Sequence, residues 1–247
     1  MSNVFGEVAE LYDDVRPDHP AEITDLVLSY AGGAIASAVE IGAGTGKATA
    51  LFAGLGFPIT CIEPDPRMAE RLTARFPEVT VASMTFEEWI PPPGGVPLLY
   101  GAMVWHWLDP ETRVSLAARA LSPGGILAII GRRTEHEDPD LNERIMAAFR
   151  SVGPDPGERP PIIEWALPEL RACPDFIDLT TRQLAQASTM STDRYLRLMQ
   201  TFSPFRMRPP EQRRELLAAV GHAIDAHGGT IGVRLETSLI LARKARG

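Results

Sequence analysis

The chain has 247 residues, 45% of them hydrophobic, with a formal net charge of −8 and two cysteines. That length can bury a full core within one α/β domain, and the acidic balance speaks against a protein that holds a nucleic-acid backbone by counterion release. Two isolated cysteines, Cys61 and Cys173, make neither a disulfide framework nor a metal cluster, so each reads as a small buried hydrophobe in a reducing cytoplasm, with no metal expected.

The apolar runs are short: ILAII at 126–130 is far below the ~20 residues of a membrane span, and the amino terminus lacks a basic segment followed by an apolar one. A soluble, unanchored protein is therefore expected. From AVEIG at 38–42 onward, strand and helix signals alternate at the spacing of parallel βαβ units. A helix-like stretch runs to Gly56, then come the strand PITCIE, the amphipathic PRMAERLTARF and the strand VTVAS. LLYGAMV reads as the fourth strand, Asp109 and Pro110 as N-cap and first position of a helix through Leu121, and Gly124-Gly125 as a turn into the strand ILAIIG. The charged, proline-rich text of 132–175 breaks the rhythm, with PDPGERPP at its centre and helical pieces around Phe149 and Trp165. FIDLTTRQLA, the helices STDRYLRLMQTF and PPEQRRELLAAVGHAIDAHGG, and a last strand VRLETSLILARK complete the chain. One domain over 1–247 is expected, with 132–175 and 187–210 as an insertion or cap over a substrate site.

Val39 to Thr49, VEIGAGTGKAT, holds glycines at 42, 44 and 46 directly behind an apolar run that carries Glu40. Glycine lets the backbone approach a ligand where a Cβ would collide, and a strand-to-helix turn aims N–H groups at it; the plain alternative is a tight turn that binds nothing. The dinucleotide fingerprint needs Gly at 42, 44 and 47, where position 47 is Lys, and the phosphate loop's spacing before Gly-Lys-Ser/Thr is absent. A cofactor without a pyrophosphate fits. Glu63 lies 21 residues after Gly42, where an acid at the end of the second strand accepts the hydroxyl protons of a ribose; the plain alternative is a solvated strand-end carboxylate.

VEIGAGTG, CIEPD, ASMTFEEW, GAMVWHW and LSPGGILAI, in this order, resemble the motifs of class I S-adenosylmethionine-dependent methyltransferases, and the match is closest to the small-molecule group that includes ubiquinone-biosynthesis-like and trans-aconitate-type enzymes. LYDDVRPDHP and TFSPFRMRPPEQRRELL resemble that group too, so the likeness spans most of the chain. The resemblance implies a Rossmann-like, doubly wound, seven-stranded sheet, mostly parallel with an antiparallel last strand, and helices on both faces. It implies an enzyme that takes S-adenosyl-L-methionine, leaves S-adenosyl-L-homocysteine, and methylates a small-molecule acceptor, as a monomer or homodimer without nucleic acid or membrane.

Carried over by position, Gly42, Ala43, Gly44 and Gly46 pass beneath the methionine portion, Glu40 receives its ammonium, and Glu63 with Pro64 takes the ribose. Ser83, Met84 and Thr85 meet the adenine, Ala102 and Met103 flank the sulfonium, and Tyr12 and Arg16 cover the cofactor, Arg16 pairing with its carboxylate. This chain lacks the Asp that the family often places near the adenine, and Pro97 stands where relatives open the fourth strand with Asp. For the acceptor, Trp105, His106, Arg132, Trp165, Tyr195, Met199 and Phe202 are candidates, with His106 as general base and an arginine fork of Arg132 or Arg133 orienting an oxygen nucleophile. The plain readings stand beside these: WHW as aromatic packing, LYDDVRP as a surface helix, the arginines as solvated or paired with Glu135 and Glu137, and the aromatic residues as core. Two other classes stay open, a cofactor-binding module without transfer activity and a nucleotide-dependent oxidoreductase.

Overall fold

The computed structural model describes residues 6–153 and 162–246. PDPGERPP, 154–161, lies outside the described residues. Seven strands form one sheet: β1 Ala38–Ile41, β2 Ile59–Ile62, β3 Thr80–Ala82, β4 Val96–Ala102, β5 Leu121–His136, β6 Phe176–Ser191 and β7 Thr230–Lys244. Their order is β3-β2-β1-β4-β5-β7-β6, with β1 to β5 parallel and β7 antiparallel to both β5 and β6. This is the expected sheet, and its antiparallel β7 departs from the order of the dinucleotide-binding fold.

The apolar runs fold as central strands because both faces are covered, so every residue of β1 is buried. Successive residues point to opposite faces, which sorts the core in two. Leu99, Leu127 and Ile129 join Ala117 of α4 (Arg113–Ala120) and Leu170 of α6 (Ile162–Ala172) on one side. Leu98, Ala128 and Ile130 join Ile23 and Val27 of α2 (Glu22–Ala31) and Leu72 of α3 (Pro66–Arg75) on the other. A third cluster gathers Val15 of α1 (Ala9–Val15), Ile145 of α5 (Pro139–Ser151), Met199 of α7 (Thr192–Met199), Phe205 of α8 (Ser203–Arg206) and Val220 of α9 (Pro210–Asp225).

Four features differ from the sequence expectation. The helix expected between Gly42 and Gly56 is a run of turns with one 3-10 turn, Thr49–Leu51. Gly46, Gly54 and Gly56 all take positive φ, leaving too few residues between them to repay helix nucleation. Pro97 lies inside β4 rather than before it, and the register with β5 shifts between Val96 and Leu98, where the missing N–H is tolerated. The helix expected from Asp109 starts at Arg113, since the Asp109 carboxylate first closes a turn by accepting from the Glu111 N–H at 3.0 Å. Finally, β5 continues to His136 and β6 to Ser191, so residues 132–136 and 187–191 are strand.

Strand order reverses between β1 and β4. In open α/β sheets ligands sit at such a switch point, beyond the carboxyl ends of the strands.

Candidate active site

A cavity opens at that point. Its floor is Gly42 and Gly44 after β1, Glu63, Pro64 and Asp65 after β2, and Thr85 after β3; its wall is Ala102 at the end of β4 with Met103, Val104, His106 and Trp107 after it; Met68 of α3 closes one side. Tyr12, Arg16 and Ser203 cover it from the opposite direction. A second concavity, lined by Phe86 to Pro91, Leu116, Arg119 and Ala120, lies against α4, away from the glycine loop.

The three glycines of the loop have separate causes. A Cβ at Gly42 would stand 2.4 Å from Val104 Cγ2, and one at Gly46 would stand 2.6 Å from the Phe76 ring and 2.8 Å from Leu72. Gly44, at φ +58°, has nothing within 4 Å of a built Cβ. Only Gly44 presents open space, so it is where a ligand can lie directly on the backbone.

Glu63 holds that loop in place. Its Oε2 accepts from the Gly44 N–H at 2.8 Å and its Oε1 from the Asp65 N–H at 2.9 Å. Burial raises its pKa, opposed by these two bonds, and each oxygen keeps a lone pair for a ligand hydroxyl. Asp65 caps α3 through the Arg67 N–H at 3.0 Å, and Arg67 also binds its side chain.

Glu40 lies one layer below. One oxygen, Oε2, accepts from Thr49 Oγ1 at 2.6 Å and Tyr100 OH at 2.8 Å, with Cys61 Sγ at 3.8 Å. Burial pushes its pKa up to about 7, with these donors opposing. The residue is 1% exposed and does not line the cavity.

Above the cavity, Arg16 donates from Nε to Thr201 Oγ1 at 2.8 Å and from Nη2 to the Thr201 carbonyl at 2.9 Å. Its guanidinium carbon stands 4.9 Å from the Tyr12 ring centroid and 4.7 Å from that of Phe202. Burial lowers its pKa, and no described residue forms an ion pair with it. A desolvated cation facing a cavity without a counter-charge favours an anionic ligand group.

The acceptor candidates divide. His106 and Trp107 line the cavity, their ring centroids 5.2 Å apart. Trp105 does not: the WHW segment is a 3-10 turn, so its neighbours face a different way, and Trp105 is 1% exposed in the core. Its carbonyl accepts from Arg113 Nη1 at 3.1 Å. Trp165 packs under the same arginine, 4.9 Å from its guanidinium carbon. Tyr195 is buried with its hydroxyl 2.7 Å from His136 Nε2, and Met199 is fully buried beside it. Phe202 reaches the cavity only through Arg16, while its neighbour Ser203 lines it.

The arginine fork also changes character. Arg132 directs its guanidinium to the backbone carbonyls of Pro17 and Asp18, and Arg133 pairs with Glu135 at 3.3 Å. Neither lines the cavity. Of the adenine candidates only Thr85 lines it; Ser83 and Met84 are exposed. Ala43 is a buried core residue.

Asp65, Met68, Val104 and Ser203 line the cavity and escaped sequence reasoning, whereas Trp107 lies at the carboxyl edge of the sheet as the GAMVWHW reading expects. Asp65 and Val104 had a signal, since each directly follows a residue singled out within the same short motif, Pro64 and Met103. Met68 and Ser203 enter from helices whose faces tertiary packing selects.

A doubly wound sheet with an antiparallel β7 places a glycine loop and an acidic strand end at the switch point, where open α/β sheets hold their ligands. Residues 39–129 match the family model described as a methyltransferase domain, and the sheet has the fold of the methyltransferases among its structural neighbours. It is 33% identical over 130 residues to an uncharacterized methyltransferase of Mycobacterium tuberculosis and to one of Mycobacterium bovis, covering 53% of this chain and 52% of each relative. The chain thus spans about half the length of the curated relatives it matches. Among solved structures, a type II methyltransferase assignment from Anaeromyxobacter dehalogenans is 22% identical with TM-score 0.71, covering 94% of this chain and 99% of that one. Phosphoethanolamine N-methyltransferase 2 of Haemonchus contortus, solved with S-adenosyl-L-methionine, is 15% identical with TM-score 0.54, covering 99% of this chain and 57% of that one. No helix among the described residues is long and apolar enough to cross a membrane.

Proposed function

We propose that the protein transfers a methyl group from S-adenosylmethionine to an oxygen nucleophile of a small, partly hydrophobic acceptor. The observation that carries the reading is the open face of Gly44, set between a carboxylate at Glu63 and an unpaired guanidinium at Arg16.

The residues fit the cofactor. Glu63 holds the ribose hydroxyls, Arg16 the carboxylate, and Glu40, one layer below, receives the ammonium through water. The bound cofactor supplies an electrophilic methyl on a sulfonium. Everything else is positioning: alignment of a nucleophile for in-line displacement contributes ~7–11 kcal/mol. Trp107 and Val104 give the acceptor an apolar wall, and Ser203 offers it a hydroxyl. His106 lines the cavity and accepts the proton of an acceptor hydroxyl on its imidazole. The helices of 132–175 and 187–210 shape access, and the chain works in the cytoplasm as a monomer or homodimer, without nucleic acid.

Calorimetry with S-adenosylhomocysteine, followed by transfer of labelled methyl groups to a panel of hydroxyl and carboxylate acceptors, tests this. Binding with transfer to an oxygen supports the reading; transfer only to nitrogen or carbon contradicts the acceptor class, and absence of binding contradicts the whole.

A further inference from the structure

Arg132 is the first residue beyond Gly131 on β5 and sits opposite Thr237 of β7. Its side chain reaches across the end of the sheet to the segment that follows α1. Nη1 donates to the Pro17 carbonyl at 2.7 Å, Nη2 to the Asp18 carbonyl at 2.7 Å with His19 Nδ1 at 3.2 Å, and Nε to Thr237 Oγ1 at 3.3 Å. Burial, and next the charge of Arg16, hold its pKa down to about 10, so it stays cationic at neutral pH. The same burial, with Arg132 beside it, pulls His19 down to about 3, leaving a neutral ring to accept from the guanidinium.

The backbone of Arg132 binds a second wall. Its N–H donates to Met103 Sδ at 2.9 Å, and Met103 has φ +56°, a strained value for a side chain of this size. The Met103 N–H still donates to the Ile130 carbonyl at 2.8 Å, so the strand pairing survives while the side chain turns back towards Arg132.

Resting on the reading of the cavity as the S-adenosylmethionine site, we propose that Arg132 is a positioning residue that sets the placement of Arg16 over the cofactor. It touches no ligand, since the cavity does not include it. It acts through the strap. Pro17 joins Arg16 to the latched carbonyls and has a fixed φ, so little backbone freedom separates the latch from the cation it places. Lys47, which binds Asp18 at 2.9 Å, fastens the strap to the glycine loop independently, so loss of Arg132 loosens Arg16 without releasing the segment.

A double-mutant cycle on S-adenosylhomocysteine binding separates this role from general destabilisation. By calorimetry, Arg132→Ala is expected to weaken binding roughly 10-fold and Arg16→Ala roughly 30-fold, while the double variant stays near 30-fold because Arg132 has nothing left to position. Amide exchange in residues 12–20 should quicken in Arg132→Ala, and Arg132→Lys, which keeps the charge and one of the carbonyl contacts, should recover part of the affinity. Multiplicative losses near 300-fold in the double variant, or wild-type affinity in Arg132→Ala, overturn the inference while leaving the cofactor site intact. Should Arg132→Ala not fold, the cycle is run with Arg132→Lys. There the expected loss is roughly 3-fold alone and none in the Arg16→Ala background, and equal losses in both backgrounds overturn it. Failure of the wild type to bind overturns the cavity reading itself and this inference with it.

Discussion

Replacing Glu63 by Ala perturbs the site at the residue that serves both loop and ligand. The substitution leaves the Gly44 and Asp65 N–H groups without the acceptors now at 2.8 and 2.9 Å, and it removes the carboxylate expected to hold the ribose. Hydrogen bonds to a charged group contribute ~1.5–3 kcal/mol, which converts to a loss of roughly 10- to 100-fold in S-adenosylhomocysteine affinity. Fold stability falls by less than two buried donors alone would cost, because burial already raises the pKa of Glu63 and its removal relieves that desolvation. Calorimetry on wild type and variant at pH 7.5, with thermal unfolding alongside, reads both quantities. An unchanged dissociation constant in a folded Glu63→Ala protein would refute the ribose assignment, and an affinity loss matched by wholesale unfolding would place Glu63 in the scaffold instead.

Four more outcomes follow from the same geometry. Gly44→Val should abolish cofactor binding while the domain still folds, as judged by circular dichroism. Gly46→Ala should cost about 2–5 kcal/mol of stability, from its positive φ and its contact with Phe76 and Leu72, with affinity nearly unchanged; equal binding defects in the two would contradict the division of the loop. Glu40, at a pKa of about 7 against its ordinary 4.5, contributes stability that is complete below pH 4.5 and lost as pH rises through 7, up to about 3 kcal/mol. Its ionised form receives the cofactor's ammonium, so affinity should rise between pH 6 and 8 in wild type and stay flat in Glu40→Gln; identical profiles would sink the assignment. His106→Ala should lower kcat by roughly 10²- to 10⁴-fold with cofactor affinity within a few-fold of wild type; full activity would leave the step without a base.

The strands were legible because parallel strands buried on both faces must be written as nearly continuous apolar runs, and the loop because three glycines in five positions have few other uses. Residues that meet the cavity through local backbone, Gly44, Glu63, Pro64, Ala102 and Met103, were readable from spacing along single strand ends. The acceptor candidates that do not line the cavity are those whose contacts are set by distant chain. Arg132 looks available in sequence, yet its partners are Pro17 and Asp18, more than a hundred residues away. Trp105 and Trp107 are indistinguishable in composition, and only the 3-10 turn sends one to the core and the other to the cavity. Tyr195 and Met199 lie on an amphipathic helix whose apolar face packs on α9 and its neighbours, a choice the periodicity announces without naming the surface it covers.

The most direct test is a crystal structure of the protein with S-adenosylhomocysteine. The account predicts the ligand lying on Gly44, its ribose hydroxyls within hydrogen-bond distance of Glu63, its carboxylate at Arg16 and its sulfur beside Met103. A ligand bound elsewhere, such as in the concavity between Trp89 and Arg119, or lying in this cavity with Glu63 and Arg16 untouched, would contradict it.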